Sequence, residues 1–270
     1  MNEKFHELLN ITNKYINKSS NPNIGVAIID TGVFPHQDIS NNIIDFYDCI
    51  NNRITPYDNN GHGTHVAGIV AGTGKGNKEG IRGINPNAKI IGIKALNQKG
   101  SGKVEYVLKG LRYVIKNKEK FNIRIVNISI GGSDDYLDAE NIALINGVEE
   151  VWKSGIVVVC AAGNNGPDKR TITAPGVSKK IITVGCLDDI LADNKNSTCN
   201  KKNKHSYTGR GPTCHCIIKP DIVCTGNQIP SLANNYACYT KKSGTSMATP
   251  IVSATILLLL EKSLTLSQRT

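Results

Sequence analysis

Ile24-Gly25-Val26-Ala27-Ile28-Ile29 is a short apolar run that stops at Asp30-Thr31-Gly32. A run that is apolar throughout, rather than at every second position, predicts a strand buried on both faces of a sheet. Further largely apolar, strand-like runs lie at Ala88–Ile93, at Ile123–Ile130 before Gly131-Gly132, at Ile156–Ala161 before Gly163-Asn164-Asn165-Gly166, and at Ile181–Gly185. Segments of helical period lie between them. Val104, Val107, Leu108, Leu111, Val114 and Ile115 recur at three- and four-residue spacing, and so do Ala139, Ile142, Ile145, Val148, Val151 and Trp152 before Gly155. Buried strands alternating with amphipathic helices predict an α/β fold whose mostly parallel central sheet is covered on both faces. Open sheets of this kind bind ligands beyond the carboxyl ends of their strands. Asp30, Gly131-Gly132 and Gly163-Asn164 all fall at such ends, so three polar or glycine-rich segments converge on one rim.

Composition narrows the function classes. The 270 residues are 39% hydrophobic and 20% charged, which suits a soluble globular chain and excludes collagen-like or disordered ones. The apolar stretch Ile256–Leu260, extended weakly back to Ile251, reaches about half of what a bilayer requires, so no membrane partner is expected. The net charge is +10, but apart from Lys201–Lys204 the basic residues are scattered and aromatics are only 5%; no nucleic-acid partner is expected either. Residues 1–22 read as a polar N-terminal extension with a short helix over Phe5–Ile16, and 23–270 as one domain with an irregular, cysteine-rich excursion at 187–216. The start Met1-Asn2-Glu3-Lys4-Phe5-His6 carries no cationic-then-apolar leader, so the expected compartment is the cytoplasm. There the eight cysteines are expected as thiols, with Cys160 and Cys186 as small core residues. Cys199, Cys214, Cys216 and Cys224 crowd together, and Cys214-His215-Cys216 offers metal-ligand types without the usual Cys-x-x-Cys spacing, which leaves zinc or redox control open. The oligomeric state is left open as well.

Three segments carry the chemistry: Ile28-Ile29-Asp30-Thr31-Gly32, Asn60-Gly61-His62-Gly63-Thr64-His65, and Ser243-Gly244-Thr245-Ser246-Met247-Ala248-Thr249-Pro250. They supply a carboxylate, an imidazole and a hydroxyl. A serine alcohol is a poor nucleophile at neutral pH. It needs a base titrating near neutrality to take its proton, and that base needs a carboxylate to hold its tautomer. Taken singly, each residue has a bland explanation: a turn aspartate, a structural histidine, a helix-capping serine. Together, in their glycine contexts, they outweigh it.

These segments, in the order Asp, His, Ser, closely resemble those of the subtilases, the subtilisin-like serine proteases. Thr55–His62 and Lys118–Ser129 are most similar to the intracellular alkaline subtilases of spore-forming bacteria. The resemblance runs from about Gly25 to Leu260. It implies a three-layer α/β/α sandwich and a serine endopeptidase acting on peptides or proteins, with Ser246 as nucleophile, His62 as general base and acid, and Asp30 as the orienting carboxylate. Asn164 matches the side-chain donor to the oxyanion. Ser129-Ile130-Gly131 and Gly100-Ser101-Gly102 match the two substrate-binding edges, where glycines let an extended peptide pair with the backbone. The first specificity pocket is implied between these edges and Ala162–Gly166, with Thr171–Gly176 at its base. Small residues there imply room for a large or apolar side chain. His65 is implied to be a packed structural histidine rather than a metal ligand paired with His62.

The chain also departs from the family's pattern. Secreted subtilases carry calcium in the loop after the histidine helix, but Gly72–Gly80 here has two lysines and a single carboxylate, a poor set for a hard cation. No cofactor is required by the chemistry, and a weaker calcium site elsewhere stays open. Residues 1–22 are shorter than the usual propeptide: either the enzyme folds without one, or they act as a short inhibitory segment. Cys224-Thr225 stands where relatives usually have Ala-Pro. The rival readings are a catalytically silent binding module on the same fold, and a metal- or redox-regulated adaptor built on the cysteine cluster.

Overall fold

The computed structural model describes residues 7, 10, 24–76, 80–132, 138–187 and 207–262. The predicted extension therefore lies largely outside the described residues, as do Cys199 and most of the excursion. The apolar runs form strands β1 (Gly25–Asp30), β3 (Lys89–Lys94), β4 (Ile123–Ile128), β5 (Val157–Ala161) and β6 (Ile182–Cys186). The helical periods become α2 (Val104–Asn117) and α3 (Ala139–Lys153). Two further strands close the sheet: β2 (Ile43–Asp48) and β7 (Ile222–Cys224). The order is β2-β3-β1-β4-β5-β6-β7, and every adjacent pair is parallel. A hairpin of β8 (Ile229–Leu232) and β9 (Tyr239–Lys242) stands apart from this sheet.

All six residues of β1 are buried, because successive side chains feed opposite faces that are both covered. Val26 and Ile28 join one apolar cluster, with Val66 and Ile69 of α1 (His62–Ala71) and Met247, Ile251 and Leu257 of α4 (Thr245–Lys262). Ala27 and Ile29 join the other, with Leu111 and Val114 of α2 and Leu144 and Val148 of α3. The result is the expected α/β/α sandwich. Ile229 and Leu232 of the hairpin join the first cluster, where β8 packs against α1, while α4 packs against α1 and β4 to β7. Among the described residues no helix is long and apolar enough to cross a membrane.

Chain direction through the sheet positions the site. After β1 the chain passes to the edge strand β2, returns to β3 beside β1, then crosses to β4 on the other side, so β1 pairs with both β3 and β4. The segments leaving their carboxyl ends diverge around the end of β1 and open a crevice there. β4 ends at Ile128, two residues before the end of the apolar run, so Ser129 and Ile130 leave the sheet to line that crevice.

Candidate active site

Asp30 is the last residue of β1 and is fully buried. Its Oδ1 accepts the Thr31 N–H at 2.7 Å and lies 2.7 Å from His62 Nδ1. His62 opens α1, so the start of this helix is docked against the end of β1. Gly63 permits the approach: a Cβ there would stand 2.1 Å from the Gly32 carbonyl oxygen and 3.0 Å from Asp30 Cβ. A carboxylate only accepts, so the contact places the proton on Nδ1 and leaves the lone pair on Nε2. Burial alone would lower the His62 pKa, but the charge and hydrogen bond of Asp30 raise it more, and the net direction is upward.

Asp58, which the sequence reading did not single out, holds the loop that delivers His62. Its Oδ1 accepts from the N–H groups of Asn60 and Gly61, and its Oδ2 from the N–H and hydroxyl of Thr64. It thereby satisfies first-turn donors of α1 and places negative charge at the positive helix end. Lys94 ties the same region from beneath. Only 1% exposed, it donates from Nζ to the Thr31 carbonyl at 2.6 Å, the Leu96 carbonyl at 2.8 Å and Asn59 Oδ1 at 2.9 Å. The Asp–Asn–Asn–Gly spacing before the histidine is a capping signal that could have identified Asp58; nothing local identifies Lys94.

Ser246 lies in the first turn of α4, partly exposed. Its hydroxyl donates to the Ser129 carbonyl at 3.1 Å, and the Ser129 hydroxyl donates to the Ser246 carbonyl at 3.0 Å. Pro250 explains why that second acceptor is open: it lacks the N–H that would otherwise close a helical bond back to Ser246. Asn127 Nδ2 donates to Ser129 Oγ at 2.9 Å, and the Ser253 hydroxyl donates to Asn127 Oδ1 at 2.8 Å. The end of β4 is thus stitched to α4. His62 Nε2 has no hydrogen-bond partner among the described residues, and the Ser246 hydroxyl is turned to Ser129 rather than to that nitrogen.

Asn164 follows β5 and is exposed. Its Oδ1 accepts both the Thr245 N–H at 3.1 Å and the Thr245 hydroxyl at 3.0 Å. The backbone N–H can only donate, so the amide orientation is settled and Nδ2 remains a donor toward Gly244, where a Cβ would stand 3.5 Å away. The same bond starts α4 at Thr245. The Ser246 N–H then belongs to the first helical turn and has no partner among the described residues.

The remaining predicted residues fall on the same rim. Ser129, Ile130 and Gly131 follow β4. Gly100, Ser101 and Gly102 follow β3, in an exposed turn where the Asn97 N–H donates to the Ser101 carbonyl. Asn60 Nδ2 donates to the Gln98 carbonyl at 2.9 Å, joining that turn to the His62 loop.

His65 is fully buried, with Nε2 3.1 Å from the Ile229 carbonyl and 3.2 Å from the Thr240 carbonyl, one on each strand of the hairpin. The ring clips the hairpin onto α1, so it is structural and does not share an ion with His62. Burial, helped by Lys242 and His62, lowers its pKa to about 3. His36 is likewise a buried structural histidine, bonded to the Cys238 carbonyl and the Asp38 N–H.

Metal readings find little support in the donor chemistry. In the loop after α1, the nearby Asp38 carboxylate already accepts from Gly76 N–H and the hydroxyls of Thr73 and Tyr239. These three donors engage both oxygens of the carboxylate within the fold. Among the described residues no group of three or more His, Cys, Asp or Glu is placed to hold a metal. Cys160 and Cys186 are core residues as expected, and burial pushes the Cys160 thiol up to about 12. Cys214 and Cys216 are exposed free thiols, and Cys224 is half-buried.

A family model described as the subtilase family matches residues 21–270. The chain is 42% identical over 256 residues to the serine protease AprX of Bacillus subtilis; the match covers 88% of this chain and 57% of that protein, so the chain spans little more than half of that relative's length. It is 34% identical to the major intracellular serine protease of Bacillus subtilis, covering 88% of this chain and 68% of that one. Among solved structures, a cold-adapted subtilisin-like serine proteinase superposes with a TM-score of 0.70 at 30% identity, over 91% of this chain and 78% of the other.

Proposed function

The chain belongs to the subtilase family, and on that premise we propose that it is a serine endopeptidase with Asp30, His62 and Ser246 as its triad. The observation that carries this reading is the 2.7 Å contact between buried Asp30 and His62 Nδ1, on the rim where Ser246 opens α4. In the first step the Ser246 side chain turns from the Ser129 carbonyl to His62 Nε2, whose lone pair accepts its proton as Oγ attacks a peptide carbonyl. Catalytic hydrogen bonds of this kind often form only once substrate is bound. Negative charge gathers on the former carbonyl oxygen, where the Asn164 Nδ2 and Ser246 N–H groups stabilise it at the positive end of α4. Protonated His62, held by Asp30, then gives its proton to the leaving amine, and water hydrolyses the acyl-enzyme. The substrate chain pairs with the Ser129–Gly131 and Gly100–Gly102 edges. No step calls for a cofactor.

Two further elements belong to this reading. The cytoplasm suits an enzyme whose Cys214, Cys216 and Cys238 are exposed free thiols, and one similar protein bears an intracellular name; cell fractionation checks it. Residues 1–22 act as a short inhibitory segment removed by self-cleavage, so intact-mass measurement should find different N-termini in the active protein and in Ser246→Ala.

Labelling with a fluorophosphonate probe tests the catalytic reading. The wild-type chain is expected to form a covalent adduct and to hydrolyse a denatured protein, and folded Ser246→Ala to do neither. Equal labelling of both, or no labelling of the folded wild type, would sink it.

A further inference from the structure

Cys186 and Cys224 end β6 and β7, two parallel neighbours, and are register partners there. Both are in the thiol form. We propose that the pair is a disulfide site: a small-molecule disulfide such as oxidised glutathione joins the two sulfurs, and the new bond fastens the outermost strand of the sheet. The proposal does not depend on the endopeptidase reading.

The geometry of the sheet carries it. Neighbouring strands run about 4.8 Å apart, which puts register partners inside the Cα separation that a disulfide spans, about 4.4–6.8 Å. The two side chains also share a face. Val184, two residues before Cys186 on β6, belongs to the apolar cluster of α4, and Cys224 packs against that same cluster. The Cys186 sulfur leans toward the chain that leaves β7: a Cβ on Gly226 would stand 3.0 Å from it. A bridge brings its two Cβ atoms to about 3.8 Å. Among the described residues β7 is the last strand of the sheet, three residues long and paired on one side only, so it is the strand that moves in. In sequence Cys224 reads as one of a group with Cys199, Cys214 and Cys216; the strand register gives it Cys186 instead.

Access sets the order of steps. Cys186 is fully buried and Cys224 half-buried. The Cys224 thiolate attacks one sulfur of the small disulfide, breaking its S–S bond and releasing one thiolate. The Cys186 thiolate then attacks Cys224 Sγ and expels the second. The two protein protons end on the two released thiols, so the chain loses two hydrogens and the oxidant gains them. The Tyr207 hydroxyl donates to Cys186 Sγ at 3.3 Å, which favours the ionised sulfur that the second step needs. The fastened segment supports the Ser246 turn, since the Gly226 carbonyl accepts the Gly244 N–H at 3.0 Å.

The test uses the full chain carrying Ser246→Ala, to prevent self-digestion. The folded protein is incubated with oxidised glutathione until the exposed Cys214, Cys216 and Cys238 have reacted. Remaining thiols are then alkylated in denaturant, and the chain is cut and mapped by mass spectrometry. A peptide pair joining Cys186 to Cys224, lighter by two hydrogens than the two thiol peptides together, is expected, and dithiothreitol should separate it. Oxidation should raise the thermal midpoint by about 5 °C or more, and this rise should be missing when Cys224→Ser is added. Recovery of Cys186 and Cys224 without the bridge overturns the proposal, and so does Cys224 joined to any other cysteine. An equal rise with and without Cys224→Ser overturns the fastening. The peptide map decides the site even if the serine variant fails to fold.

Discussion

His65 makes the fold of this protein sensitive to acid in a way that can be separated from every other group. Its Nε2 sits between two carbonyls, so that nitrogen carries the proton, while Nδ1 is buried without a partner. Adding a second proton would create an unpaired buried N–H and a positive charge near Lys242, which is why the pKa falls from 6.5 to about 3. Between those values the unfolded chain binds a proton that the folded chain refuses, so stability falls as pH falls. Linkage gives a loss of about 2 kcal/mol between pH 7 and pH 5 and about 3 kcal/mol by pH 4. The first figure barely depends on the folded value, since any pKa below about 4 gives nearly the same result. His62 acts with the opposite sign: its raised pKa contributes stability below its unfolded pKa that is lost as pH rises through the folded one. The clean comparison is His65→Gln, which keeps an N–H for the two carbonyls and does not titrate. Denaturant unfolding of both proteins at pH 7, 6 and 5, in the Ser246→Ala background to prevent self-digestion, isolates the effect because His62 is common to both. The glutamine variant should be less stable at pH 7 yet lose about 2 kcal/mol less on going to pH 5. Parallel pH dependences would refute the reasoning.

Other perturbations reach the site itself. Because His62 must be neutral to act as base and its pKa is raised, the acid limb of kcat/KM should lie above pH 6.5; Asp30→Asn should move it to lower pH and reduce kcat on the order of 10⁴-fold, both read from pH–rate profiles. Asn164→Ala should lower kcat by about 10²–10³ with little change in KM, a magnitude known from subtilisin itself. The same change strips the cap from the Thr245 N–H, so unfolding measurements should also show a loss of about 1 kcal/mol. Lys94→Met leaves two buried carbonyl acceptors, on Thr31 and Leu96, without their donor and frees the exposed Asn59; denaturant unfolding should show a loss of about 2 kcal/mol or more.

Legibility in sequence followed locality. The strands buried on both faces, β1 and β3 to β6, announce themselves as continuous apolar runs, and α2 and α3 by their period; each pattern is set by residues within a few positions. β2 was missed because Ile43–Asp48 alternates buried with more exposed positions at the sheet's edge, and β7 because two of its three residues are exposed. The β8–β9 hairpin carries Pro230, Lys241 and Lys242, which argue against strand until α1 supplies a surface for β8. The residues of the proposed triad stand out in sequence because each sits in a glycine-marked segment. Asp58 was legible in principle, as a cap.

By itself, then, the chain spelled out most of the central strands and helices and the motifs proposed to carry the chemistry, since backbone period and short motifs are properties of neighbours in sequence. Only the tertiary structure decided that Lys94 binds acceptors on both sides of the Asp30–His62 junction, that the Ser246 hydroxyl turns to Ser129, and that Cys224 is the register partner of Cys186. Each of these depends on atoms brought together from stretches far apart in the chain, and close packing, rather than any pattern along the sequence, sets which of them touch.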